Sequence, residues 1–229
     1  MNYSATPKRA FIGFLQALYY IGVMAKSKNP LPILDCYNDL AGSYNHAWQM
    51  LVNGARDRRS PFHTPTMATS GLSGTPELRT VVLRDASASE KWLRFNTDNR
   101  SLKIKEILTN NKGAMHFYDA DAKIQLRVAC SYRLASEQEL DALWSKTPDM
   151  SRECYQVTTA PGATVEGPLD VSFDAETSMD GKPHFQPVFA QIKTIEWLYL
   201  AAAGHRRARF DLQTENHDAS PTHMTWLVP

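Results

Sequence analysis

The chain has 229 residues, 43% of them hydrophobic and 21% charged, which is enough for a sizeable core. Its 25 basic and 24 acidic side chains leave a formal net charge of +1, so there is no broad electrostatic case for nucleic acid or an acidic membrane as partner. Cys36, Cys130 and Cys154 form neither a metal-ligand spacing nor a CxxC pair, and an odd count without a framework suits a reducing, cytoplasmic setting.

Residues 1–30 stand apart from the rest. Lys8 and Arg9 precede an apolar run from Ala10 to Ala25, which resembles the start of a secretory signal. The run is short for a membrane span, however, and Lys26 and Lys28 follow it where small residues would mark a cleavage site. We read this stretch as an N-terminal extension, either loosely attached or lying upstream of a start near Met24. Residues 31–229 then form a single domain.

Asp39 to Asn53 has helical spacing, with Leu40, Tyr44, Ala47, Trp48 and Leu51 on one face. Pro61 to Pro65 leads into a first strand, Thr66 to Thr69. His63 has the chemistry of an acid–base group, but its place beside Phe62 and two prolines favours a packing role. Arg79 to Arg84 alternates as a strand, as does Trp92 to Thr97. Asp98 to Ser101 breaks the pattern and begins a helix whose apolar face is Leu102, Ile104, Ile107 and Leu108. Ala114 to Tyr118 and Ile124 to Leu134 form a hairpin.

Ser136 opens a helix with a capping-box pattern ending at Glu139, and Leu140, Leu143 and Trp144 form its apolar face. A further helix starts in Pro148 to Tyr155 and ends at breakers from Thr159 to Ala163. Residues 164–186 read as a surface excursion. Val188 to Ile195, Glu196 to Leu200 and Arg206 to Leu212 are strands, and Met224 to Leu227 docks back on them.

The cations carry the functional signal. Arg79 and Arg84 bracket one strand, while Arg100 and Lys103 stand at the start of a helix. A helix N-terminus offers free N–H groups and the positive end of a dipole, so Ser101 with Lys103 is a candidate phosphate cradle. Gln125 and Arg127 share a face opposite Ile124, Leu126 and Val128. An exposed cationic sheet face with no ligand fits the same pattern.

The stretches RTVVLR, FNTDNRSLKIKEI and KIQLRV, in this order and spacing, resemble the pyridoxamine 5′-phosphate oxidase-like family of FMN-binding split barrels, in its oxidase-related branch. The resemblance extends more weakly from about Trp48 to Phe210. It implies an α+β fold, a six-stranded antiparallel split β-barrel with flanking helices, and a homodimer with FMN at the interface. Carried over position by position, it places Arg79, Thr80, Val81, Val82 and Leu83 along the flavin ring and Arg84 at the ring's polar edge. Asn96 and Thr97 lie beside the phosphoribityl arm, and Ser101 and Lys103 hold the phosphate. Gln125 reaches the ring from the adjacent strand, and Trp197 and Arg207 approach from the other subunit.

Departures from the family pattern matter as much. The phosphate motif Ser-Arg-Lys is Ser101-Leu102-Lys103 here, so one guanidinium is missing, and Arg100 is the nearest substitute. The positions that hold the oxidase substrate's own phosphate are Leu143, Thr147 and Ser151, and a substrate-facing arginine is Ala203. Arg152 is the cation nearest that lost site. The resemblance therefore implies an FMN-dependent oxidoreductase acting on another small molecule, with Arg84 and His205 as candidate catalytic groups. The alternatives are a non-enzymatic FMN-binding, electron-transfer or sensing protein, and a true pyridoxamine 5′-phosphate oxidase. No metal site, nucleic-acid partner or membrane partner is expected.

Overall fold

The structure, a computed structural model, describes residues 33–168, 178–201, 204–212 and 220–229. The N-terminal extension (residues 1–30), Ala203 and residues 169–177 of the expected surface excursion lie outside these residues.

Among the described residues nine strands form one antiparallel sheet: β1 (Thr66–Ser70), β2 (Pro76–Thr80), β3 (Leu83–Ser87), β4 (Trp92–Asp98), β5 (Lys112–Asp119), β6 (Ile124–Leu134), β7 (Phe185–Tyr199), β8 (Arg206–Asp211) and β9 (His223–Leu227). The order is β2-β1-β5-β6-β7-β4-β3, with β8 on β7 and β9 on β8. The expectation of six strands is corrected to nine. One reason is that Arg79 to Arg84 is not a single strand: β2 stops at Thr80, the Val81 N–H donates to Pro65 O at 3.0 Å, and β3 starts at Leu83. The chain thus passes directly from one end of the strand order to the other. Only a sheet curled until its edges approach each other allows so short a link, and that is a barrel.

The barrel splits along β7. Residues 185–191 of this strand pair with β4, whereas residues 194–199 pair on the same edge with β8. On the opposite edge β6 runs along nearly the whole of β7, and its register shifts between Ala129 and Cys130, beside the fork. The two strands read between Val188 and Leu200 are therefore one 15-residue strand. The C-terminal tail docks as expected, as β9 against β8.

Alternation on β6 sends Ile124, Leu126 and Val128 inward, where they join Leu83, Phe95, Met115, Phe117 and Ile195. Gly113 is required by close approach: a Cβ there would lie 2.2 Å from the Tyr132 ring and 2.6 Å from Ala68 O. Tyr132 uses that space to donate to Ala114 O at 2.8 Å.

The first helix, α1 (Leu40–Arg56), is capped by Asp39, which accepts from the Gly42 N–H at 2.6 Å, and it buries Tyr44, Ala47, Trp48 and Leu51. The next, α2 (Leu102–Thr109), buries Ile104 and Ile107, but Leu102 and Leu108 are 54% and 70% exposed and leave the expected apolar face. Helix α3 (Glu137–Ser145) has its capping box, with the Ser136 N–H donating to Glu139 at 2.8 Å and Glu139 N–H donating to Ser136 Oγ at 3.3 Å. The short α4 (Asp149–Arg152) follows. Trp144, Tyr155 and Phe185 make a second small core beneath α3. His63 Nδ1 lies 2.7 Å from Gly54 O, tying the loop to the end of α1.

Candidate functional site

The turn from β4 into α2 gathers three polar side chains. The Lys103 ammonium donates to Thr97 Oγ1 at 3.0 Å and to Ser101 Oγ at 3.1 Å, and the two hydroxyls are 3.3 Å apart. Ser101 sits at the N-cap position, yet its side chain does not cap α2. It donates instead to Asp98 O at 2.8 Å. Ser101 therefore leaves the first amides of the helix uncapped, and the Lys103 ammonium meets two hydroxyls and, among the described residues, pairs with no carboxylate. Burial, and then the nearby Arg79, push the Lys103 pKa down. A desolvated cation flanked by hydroxyls at a helix start fits an anion with several acceptor oxygens, such as a phosphate.

This triad forms one side of a cleft of ≈ 460 Å³ whose other side is Cys154, Tyr155 and the loop from Val157 to Val165. That loop was not legible as a cleft wall, because its breakers mark only where a helix ends. Arg84 is exposed at the start of β3, and its charge acts on Cys154 and Tyr155 of the cleft wall. Arg94 is a further cation absent from the sequence reading. It is nearly buried, lies 3.6 Å from Asp85, and donates to Asn96 Oδ1 at 3.0 Å. Its signal was its place two residues from Asn96 on one strand face.

Several expected contacts need correction. Arg79 does not join the triad. Its guanidinium donates to Glu106 at 2.8 Å and also to Thr69 Oγ1, because the wholly buried Glu106 carboxylate requires a cation. Arg100 does not supply the missing guanidinium, since it is engaged by Asp98 and by two loop carbonyls. Along the expected ring-binding segment, Leu83 points into the core and the Val81 amide is already bonded, which leaves Thr80 exposed and Val82 partly so.

Gln125 is not on a strand adjacent to that segment, because β1 and β5 intervene between β2 and β6. It stands across from Leu198, which stands across from Arg207, so Gln125 and Arg207 lie together on the outer face. Arg207 pairs with Glu196 at 2.7 Å. His205 is exposed just before β8, at the same end. Trp197 points the other way and is wholly buried. Its ring meets Tyr37 edge-on at 5.2 Å and stacks with Tyr199, which removes it from any ligand contact in this chain arrangement. Thr97 pairs with Gln186 near the start of β7, whereas Gln125 and Arg207 flank Leu198 near its end. Twelve residues of strand, roughly 40 Å at ~3.3 Å each, separate the two groups along β7.

Comparison with known proteins places this geometry. Residues 45–136 match the family described as pyridoxamine 5′-phosphate oxidase, FMN-binding domain, a segment that contains the cradle, Arg84, Arg94 and Gln125. This stretch is similar to the pyridoxamine 5′-phosphate oxidase FMN-binding domain. Pyridoxine/pyridoxamine 5′-phosphate oxidase 2 of Arabidopsis thaliana is 33% identical over 90 residues, 38% of this chain and 46% of the relative. The pyridoxine/pyridoxamine 5′-phosphate oxidase of Brucella anthropi is 36% identical over 86 residues, 38% of this chain and 41% of the relative. The chain thus spans about half the length, or less, of the curated relatives it matches.

Two solved structures share the fold. A pyridoxamine 5′-phosphate oxidase-related, FMN binding protein from Nostoc punctiforme has a TM-score of 0.58 at 20% identity, covering 87% of this chain and 100% of its own. PhzG from Burkholderia lata, solved with tetrahydrophenazine-1-carboxylic acid, has a TM-score of 0.62 at 17% identity, covering 86% and 98%.

Of the positions that the resemblance assigns to the oxidase's substrate phosphate, two are engaged within the chain. Leu143 packs on the small core under α3, and the Thr147 hydroxyl donates to Leu143 O at 2.8 Å. Arg152 donates to Trp144 O at 2.9 Å and to Asp149 at 3.0 Å, turned toward the end of α3.

Proposed function

We propose that this protein is an FMN-binding flavoprotein, an oxidoreductase acting on a small molecule other than pyridoxamine 5′-phosphate. The observation that carries the reading is the Thr97, Ser101 and Lys103 triad, an ammonium between two hydroxyls in the segment that matches the FMN-binding domain, which we read as an anion site. Bound FMN would supply the hydride and electron chemistry. This chain's residues would do the holding. Lys103 and the two hydroxyls take the phosphate, Thr80 and Val82 flank the ring, and Arg84 offers a positive charge at the ring's edge. No residue here is assigned a proton transfer. The engaged states of Leu143, Thr147 and Arg152 argue against a second phosphate pocket for the oxidase substrate.

The site is completed by a second copy of the chain. The separation between the cradle and the Gln125/Arg207 group along β7 supports this reading. So does the outer sheet face, where Leu78, Ala68, Ala114 and Ala129 form one cross-strand row and Leu78 and Tyr118 are 66% and 45% exposed. Arg207 then serves the partner's flavin, as does Gln125. The test is the absorption spectrum of the freshly purified protein, followed by anaerobic reduction with NADH or NADPH. A flavin spectrum bleached by a nicotinamide donor supports the enzyme. A bound flavin that no donor reduces favours a carrier or sensor, and a colourless protein that takes up no FMN refutes the proposal.

A further inference from the structure

We infer that Arg100 is a positioning residue for the anion site: it fastens the 157–165 loop to the rim of the cradle, and the loop shields the bound phosphate from water. The inference rests on the reading of the cradle as a phosphate site. Arg100 directly precedes Ser101, where a cation invites assignment as a phosphate ligand. Its geometry excludes that assignment. Nε donates to Asp98 Oδ1 at 3.0 Å and Nη2 to Asp98 Oδ2 at 2.7 Å. Nη1 donates to Thr158 O at 2.8 Å and Nη2 to Val157 O at 2.7 Å. Those bonds use four of the five N–H groups of a guanidinium, and the side chain is 22% exposed.

Two consequences follow for the cleft. Asp98 lines it beside Thr97, so its carboxylate would repel a phosphate, and Arg100 neutralises that charge. The two carbonyl bonds also hold Val157 and Thr158 in place, and with them an apolar wall of Val157, Ala160, Pro161 and Val165 opposite Lys103. Apolar atoms in place of water lower the local dielectric, which strengthens the Lys103–phosphate attraction and protects it from screening by salt. A lysine at position 100 would keep the charge beside Asp98 but lacks the planar fork that spans a carboxylate and two carbonyls at once.

The experiment titrates FMN and riboflavin into the wild-type, Arg100→Ala and Arg100→Lys full-length proteins, from about 50 to about 500 mM salt, a range over which exposed charges become screened. Both variants are expected to lose about tenfold or more in FMN affinity, the scale of one hydrogen-bonded contribution, while riboflavin affinity is unchanged. The FMN affinity of Arg100→Lys, which keeps the charge beside Asp98, should also fall more steeply with salt than that of the wild type. Amide hydrogen exchange in residues 157–165 should rise in the same variants. If Arg100→Ala does not fold, Arg100→Lys carries the test alone. Wild-type behaviour of Arg100→Lys would overturn the inference in favour of a direct charge on the phosphate. Equal loss of both flavins, or an unchanged salt response, would overturn it in favour of a structural role. A wild type that does not prefer FMN to riboflavin removes the cradle itself, and this inference with it.

Discussion

Replacing Lys103 with methionine separates ligand recognition from folding. The ammonium makes two hydrogen bonds, to Thr97 and Ser101, both to neutral oxygens. Burial pushes its pKa below the ordinary lysine value of 10.5, so the folded chain without ligand disfavours the charge it carries at neutral pH. The methionine variant should therefore melt no lower than the wild type in the absence of flavin. With FMN the sign reverses. A phosphate would be the anionic partner this ammonium lacks among the described residues, and losing a charge-assisted bond costs about 1.5–3 kcal/mol, or about 10- to 150-fold in Kd. Riboflavin has no phosphate and should bind both proteins alike. The same logic sets the pH dependence. Affinity for FMN should hold through neutrality and fall as pH rises through the Lys103 pKa, which lies below 10.5, and this fall should be absent from the variant. The assay is titration monitored by quenching of flavin fluorescence, paired with thermal melts of the apo-proteins. Equal losses for FMN and riboflavin, or a variant that binds FMN as tightly as the wild type, would refute the cradle.

Three further outcomes are expected. Arg207→Ala should impair FMN retention while leaving the barrel folded, and mixed dimers of Arg207→Ala and Lys103→Ala chains should regain one intact site in two; a fully loaded monomer in sedimentation would contradict this. Glu106→Ala leaves Arg79 without its buried counter-charge and should cost about 3 kcal/mol of stability in denaturant unfolding, with Glu106→Gln costing less because it retains an acceptor. Arg133 holds the Glu139 carboxyl down to about 2 from an ordinary 4.5, so this pair's contribution is present above pH ~4.5 and lost as pH falls toward about 2. Because the pair is partly exposed, Glu139→Gln should cost no more than about 1 kcal/mol at neutral pH, and the difference from wild type should vanish in acid melts.

Alternation and helical spacing were sufficient to locate β1, β4, β5, β6 and β8, the buried face of α1 and the capping box of α3, because each is decided by neighbours within a few residues. Local order also placed Ser101 and Lys103 together at a helix start, two residues apart, so their contact was legible in the sequence. What the sequence left open depends on partners far along the chain. Arg79 and Arg100 read as free cations, yet Glu106 claims one, while Asp98 and the carbonyls of residues 157 and 158 claim the other. A two-residue link, Val81 and Val82, joins the opposite ends of the strand order, and a fork in β7 gives one strand edge to two different partners. Trp197 alternates like its neighbours, so the sequence could not tell whether its face met ligand or core. Packing of Tyr37 and Tyr199 around it decided for the core. Spacing along a chain determines which residues share a face. Which charge meets which countercharge, and which face is covered, is decided only when distant segments are packed together.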